Sequence, residues 1–295
     1  MPAVLELDFD PLFTVAGFGL RWEAIALALA ICFALVAFTV SLRHSLGPVR
    51  RDDVAFVVLA VVPGAVVGGR LVHGLDYLGA YAAQPQALFD LSRGSISLVG
   101  AVLGGALSAT YVCRLLGCPV GRWAATAALP LLLAIGLGKL ASVLGGAGQG
   151  VPMAGTWALA FGGSGPWISV DPATPATPSQ VYEGLWVLAG VPILALVSRV
   201  RPARWSADAR WLLLALAWWL AGRFVTGFTW RDEPGIGSLG AEQLATLAGL
   251  AGVLVTLAVI AGRRRSATRR PPEPRASDDI DDPAHLENAE SPAAG

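Results

Sequence analysis

Charge is scarce in this chain. Only 14% of its 295 residues are Asp, Glu, Lys or Arg, 55% are hydrophobic, and the mean hydropathy is +0.61. A soluble domain carries about 25% charged residues, so this chain has too few to coat a surface against water. Lysine is rarer still: of 21 basic residues, only Lys139 is not Arg. Three cysteines exclude a disulfide scaffold. Cys32, Cys113 and Cys118 lack metal-ligand spacing and read as small apolar fillers. The three histidines, His44, His73 and His285, do not cluster, and no Walker loop, dinucleotide fingerprint or HExxH helix occurs. No metal, cofactor or nucleic acid is therefore expected. Residues 1–20 hold Glu6, Asp8 and Asp10 but no basic residue, so the positive region of a cleaved signal is missing. The remaining class is an integral membrane protein, because lipid tolerates so much apolar surface.

Seven apolar stretches approach the ~20 residues that cross the hydrocarbon core. They lie near 22–42, 54–72, 95–116, 124–146, 181–198, 210–229 and 240–262. The expected fold is all-α, a bundle of seven transmembrane helices. Cytoplasmic loops are rich in Arg and Lys. Fifteen basic residues fall after the first, third and fifth stretches and in the tail, from Arg43 to Arg275. That asymmetry places the N-terminus outside and the C-terminus in the cytoplasm. Residues 1–262 read as the membrane domain and 263–295 as a disordered cytoplasmic tail. The tail's basic half has two readings, a solvated flank or a contact with anionic lipid. Residues 73–94 and 147–180 are then long outer loops.

The other six basic residues are Arg21, Arg70, Arg93, Lys139, Arg223 and Arg231. A cation at membrane depth costs about 2.5–3.5 kcal/mol on insertion scales and faces a cavity or a partner. Arg70, Lys139 and Arg223 lie toward the outer ends of the second, fourth and sixth stretches. Bundled together, they form an outer-leaflet site suited to a phosphate. Lys139 and Arg223 are the functional candidates, being flanked by Gly136, Gly138, Ala141 and Gly222. Arg21, Arg93 and Arg231 read as interfacial side chains. Thr177-Pro178 opens the fifth stretch as an N-cap and first helical residue. Glu183 there is either a partner for one of the cations or a plain interfacial carboxylate.

In order, these features resemble the bacterial prolipoprotein diacylglyceryl transferases, over about residues 8–262. Asp8-Phe9-Asp10-Pro11 with Gly17, Gly19, Leu20 and Trp22 looks like the family's opening segment. Gly68-Gly69-Arg70-Leu71 with Tyr77 looks like its GGR stretch. Residues 93–104 match the frame of GGxSxHGGLxG. Gly136-Leu137-Gly138-Lys139-Leu140 matches GxGRxGN, and residues 177–183 match HPSQLYE. Gly222-Arg223-Phe224 matches the Arg of the sixth span, and Gly240 to Gln243 the Gln before the seventh.

The resemblance implies an enzyme of the bacterial cytoplasmic membrane that moves a diacylglyceryl group from phosphatidylglycerol to the lipobox cysteine thiol of an exported prolipoprotein. Its partners would be phosphatidylglycerol, a lipobox signal peptide and membrane lipid. Carried across, Lys139 and Arg223 would hold the departing phosphate. Gln180, Tyr182 and Glu183 would shape the site, Arg70 would support it, and Tyr77 and Ser142 would contact substrate. The chain departs from the pattern at named positions. Val99 and Thr177 replace histidines, Lys139 an Arg, Ser142 an Asn, Ala101 a Gly and Glu23 an aromatic. Gly227 stands where the family has Glu. No His remains at the carried-over base positions, so His73 or Glu23 would have to substitute. The alternative is a catalytically weakened paralogue that binds lipid or lipopeptide without transfer.

Overall fold

Apolar side chains cover the outside of the helices, which identifies their solvent. Leu29, Leu59 and Leu107 are 65%, 69% and 72% exposed. Patches this extensive are not carried into water by a soluble monomer, but cost nothing against lipid. The computed structural model describes residues 4–15, 17–46, 50–88, 97–200, 208–231 and 234–269. Arg93, His285 and the tail from residue 270 lie outside the described residues. Residues 1–257 form one compact unit, and the last helix continues beyond it to Arg269.

Among the described residues, seven helices are long and apolar enough to cross a membrane. They are α1 (Trp22–Leu46), α2 (Arg51–Asp76), α4 (Leu98–Leu115), α5 (Val120–Ala141), α6 (Ser179–Val200), α7 (Arg210–Thr226) and α8 (Ala241–Arg269). A short α3 (Leu78–Ala83) follows α2. The second span runs past Gly68-Gly69-Arg70 to Asp76, beyond its expected end near residue 72. Pro63, Pro130 and Pro192 also sit inside helices, as membrane helices permit.

Small residues set how the helices meet. Gly64 and Gly68 on α2 face Gly100 and Gly104 on α4. A Cβ at Gly104 would lie 2.1 Å from the Gly64 carbonyl oxygen, and one at Gly100 would lie 2.3 Å from that of Gly68. The two backbones therefore touch along a GxxxG stripe on each helix. Helices α5 and α6 cross at Gly136 and Gly184, where a Cβ on either would come within 3.2 Å of the other's carbonyl oxygen. Helices α6 and α7 are joined by a reciprocal clasp. Trp186 and Trp218 stack with centroids 4.7 Å apart, and each indole N–H donates to the other's carbonyl oxygen at 2.9 Å. Gly222 and Gly190 leave room for the two rings. Leu132, Val187, Trp219 and Leu220 fill the core between these helices.

The fold is not purely helical. At one end of the bundle β1 (Leu5–Leu7) pairs in parallel with β4 (Leu159–Phe161), and β2 (Leu12–Val15) forms a hairpin with β3 (Phe18–Arg21). A second small hairpin, β5 (Pro234–Ile236) with β6 (Leu239–Gly240), precedes α8. The segment between α5 and α6 thus folds as a lobe tied to the N-terminal strands. Inside it the Gln149 amide donates to the carbonyl oxygens of Leu159 and Thr174, each at 3.0 Å. Arg21 donates to the Pro166 carbonyl oxygen at 2.9 Å and Arg231 to that of Gly150 at 2.5 Å, so both brace the lobe.

Thr177 does not cap α6, contrary to expectation. Its hydroxyl donates to the Val151 carbonyl oxygen at 3.2 Å, and the helix begins at Ser179. The lobe takes the hydroxyl that the sequence offered to the helix.

Adding side-chain volume to the α2–α4 stripe should break it. Gly104→Val is expected to cost about 1–3 kcal/mol or to prevent folding, read as a lowered melting temperature in detergent. Gly252→Ala, with nothing within 4 Å of the added Cβ, should leave it unchanged.

Candidate active site

Four helices bring one charged side chain each to the lobe end of the bundle. Lys139 lies in the last turn of α5, Glu183 near the start of α6, Arg223 in the last turn of α7, and Glu242 in the first turn of α8. Beside the Gly136–Gly184 crossing, Lys139, one turn past Gly136, meets Glu183, next to Gly184, with Nζ to Oε2 at 2.9 Å. One turn above the tryptophan clasp, Arg223 Nη1 donates to Glu183 Oε1 at 2.9 Å and to Oε2 at 3.1 Å. The Trp219 indole N–H lies 3.4 Å from Oε1. The second arm of Arg223, Nη2, donates to Glu242 Oε2.

Glu183 is fully buried and Arg223 is 5% exposed. An ionised carboxylate survives such burial only when its lone pairs are taken up, and here both oxygens are. The two cations are thus held side by side by a shared counter-ion. Trp230 roofs them, its ring centroid 4.5 Å from Lys139 Nζ and 5.7 Å from Arg223 Cζ, both within cation–π range. Beneath that roof a cleft of about 270 Å³ opens between apolar walls such as Leu27, Leu98 and Ile135, with Lys139 and Ser142 in its lining.

The expected convergence of cations holds for Lys139 and Arg223, but the site is not purely cationic. Glu183 and Glu242 balance their two charges formally. Arg70 is buried on α2, one turn before His73, and the charges of Arg70 and Glu242 both reach the His73 ring. Ser142 lines the cleft, its hydroxyl donating to the Lys139 carbonyl oxygen at 2.7 Å. Gln180 is fully buried, and neither polar atom of its amide has a hydrogen-bond partner among the described residues. A buried amide left in this way is uncommon and calls for a polar partner such as water.

Tyr182 and Tyr77 are not drawn into the cluster. Tyr182 is exposed, and Tyr77 is exposed with its ring 4.7 Å from that of His73. The Glu23 carboxylate lies against Gly145, just past α5. The Cys118 thiol, in the α4–α5 turn, is pushed up from its usual range by desolvation and by the Asp53 carboxylate, which suits an inert filler. Sequence reading missed Glu242, Trp219 and Trp230. Glu242 carried one available signal, a carboxylate at the start of an apolar span. No motif marked the two tryptophans.

A family model described as "Prolipoprotein diacylglyceryl transferase" matches residues 11–261. The chain is similar to three proteins named "Phosphatidylglycerol--prolipoprotein diacylglyceryl transferase". It is 33% identical to that of Geobacter sulfurreducens over 204 residues, 66% of this chain and 74% of the relative. It is 28% identical to that of Gloeobacter violaceus over 270 residues, 88% and 94%. It is 28% identical to that of Nitrobacter winogradskyi over 298 aligned positions, 92% and 96%.

Removing the shared counter-ion should be costly. Glu183→Gln leaves the buried Arg223 with Glu242 alone and Lys139 without an ion-pair partner among the described residues, and a loss of about 3–5 kcal/mol is expected. A correspondingly lower detergent melting temperature checks this. A melting temperature within 2 °C of the parent protein's, the shift for about 1 kcal/mol in a chain of this size, would show that the pair is not structural.

Proposed function

The chain belongs to the prolipoprotein diacylglyceryl transferase family, and we propose that it transfers a diacylglyceryl group from phosphatidylglycerol to the lipobox cysteine thiol of exported prolipoproteins. The observation that carries this reading is the pair Lys139 and Arg223, held 2.9 Å from one buried carboxylate under Trp230. The reaction forms a thioether and expels glycerol phosphate, so charge builds on the phosphate-ester oxygen as the carbon–oxygen bond breaks. Two preorganised cations beside that oxygen stabilise it most as the charge grows. Lys139 meets it as a point charge and Arg223 as a fork.

The remaining residues fit around that pair. Ser142 and the Gln180 amide offer hydrogen bonds to glycerol or phosphate oxygens. Arg70 adds positive charge from α2. The exposed Tyr77 and Tyr182 stand at the rim, where lipid and peptide arrive. The apolar walls of the cleft suit the first carbons of an acyl chain. The arginine asymmetry of the loops supports an outer-face position for the lobe, where exported substrates are. Residues 1–262 are then the transferase domain and 263–295 a cytoplasmic tail. The comparisons do not favour a lipid-binding paralogue without transfer.

The test is rescue of a bacterium depleted of its own transferase. The chain should restore growth, Lys139→Ala should abolish rescue, and Lys139→Arg should preserve or improve it. Absence of rescue by the unaltered protein, shown to be in the membrane, overturns the reading. In detergent, Arg223→Ala should weaken phosphatidylglycerol binding at least tenfold. Unchanged binding in both Arg223→Ala and Lys139→Ala would remove the shared phosphate site.

A further inference from the structure

Phosphate binding accounts for Lys139 and Arg223 but gives no role to Glu242. The transfer also needs a proton acceptor, because a cysteine thiol with an ordinary pKa of about 8.5 is mostly protonated at neutral pH. Four groups near the cluster could serve. Glu183 is fully enclosed, with both oxygens engaged by Arg223, Lys139 and Trp219. Glu23 packs against Gly145. His73 lies on α2 against the rings of Tyr77 and Tyr81. Glu242 differs from all three. Its side chain is 33% exposed, and Oε2 meets Arg223 Nη2. Oε1 has no hydrogen-bond partner among the described residues.

The local fold aims this carboxylate at the cations. Gln243 is buried beside it, accepting from the Gly240 N–H at 3.0 Å and reaching toward the Phe224 carbonyl oxygen at 3.5 Å. This pins the first turn of α8 to α7. Gly227 makes room, since a Cβ there would lie 2.6 Å from Gln243 Cγ. Position 227 therefore cannot carry a longer side chain in this packing, and the carboxylate beside Arg223 comes from α8 instead.

Building on the transferase reading, we infer that Glu242 is the general base that takes the proton from the incoming cysteine thiol. Glu242 and a phosphate oxygen compete for the same Arg223 Nη2. Phosphate arrival loosens the carboxylate from its cation and leaves a stronger base next to the bound lipid. The S–H proton passes to Glu242 as sulfur attacks the glyceryl carbon that bears the phosphate ester. That carbon–oxygen bond breaks with its electron pair on oxygen, and glycerol phosphate leaves. The proton then moves from Glu242 to the departing phosphate or to water, so no further reactant is needed. The charged groups around Glu242 are Arg223 on α7, with Glu183 behind it, Lys139 on α5, and His73 on α2, which also faces Arg70.

The test compares two nucleophiles on the full-length protein in phosphatidylglycerol nanodiscs: a lipobox peptide with cysteine, and the same peptide with selenocysteine, whose selenol is already ionised at neutral pH. Glu242→Gln should lower kcat with the thiol about 100-fold or more. KM for phosphatidylglycerol should stay within twofold, and the acid limb of the pH profile should disappear. With the selenol peptide its rate should return to within about threefold of the parent's. Lys139→Ala, the reference for phosphate binding, should be impaired with both peptides. Equal losses of Glu242→Gln on thiol and selenol, or a kcat within threefold of the parent's with the acid limb intact, overturn the assignment. If Glu242→Gln does not accumulate in the membrane, Glu242→Asp is read instead. It should keep the acid limb and widen the selenol-to-thiol rate ratio; an unchanged ratio overturns the assignment. A parent protein inactive on both peptides overturns the transferase reading itself.

Discussion

A carboxylate cut off from water must be met by donors, and Glu183 is met by three, from α5 and α7. That requirement fixes the relative height of three helices. Sliding α5 by one turn would carry Lys139 about 5.4 Å away and leave a buried charge half-paired. The same contacts that hold the helices in register hold the two cations apart from lipid and close to each other. The site is therefore organised before any substrate arrives, which is the condition under which fixed charges accelerate a reaction.

Charge alone does not bring helices together in lipid, where side chains are as apolar as their surroundings. Shape does. The Gly64–Gly68 and Gly100–Gly104 stripes let two backbones touch, and Gly136 with Gly184 does the same beside the site. Several glycines that the family resemblance groups with the chemistry serve this closeness. Gly222 beside Arg223 admits the Trp186 ring, which keeps α6 and α7 side by side and so keeps Arg223 on Glu183.

The seven spans were legible because crossing a membrane requires only length and apolar composition, both local properties. Lys139 and Arg223 were legible for the same reason, as charges where lipid penalises them. Glu183 stayed open between two readings, since only the α5–α6 crossing decides whether its neighbour is a cation or a headgroup. Thr177 misled because its hydroxyl partner, Val151, lies 26 residues away in the lobe. Glu242 was missed because nothing in the first turn of α8 says that it lands beside α7. The exchange of hydrogen bonds between Trp186 and Trp218, 32 residues apart on two helices, has no local signal either.

The clasp between α6 and α7 also bears on how the chain is made. Arg223 and Glu183 sit on consecutive spans that leave the ribosome in succession. Threaded singly, each would carry an uncompensated charge toward hydrocarbon, at several kcal/mol. Inserted as a closed hairpin, locked by two indoles and already neutral, the pair has no such barrier. Lys139 waits at the end of the preceding helix, where its long side chain can reach the interface, until the hairpin brings Glu183 to it.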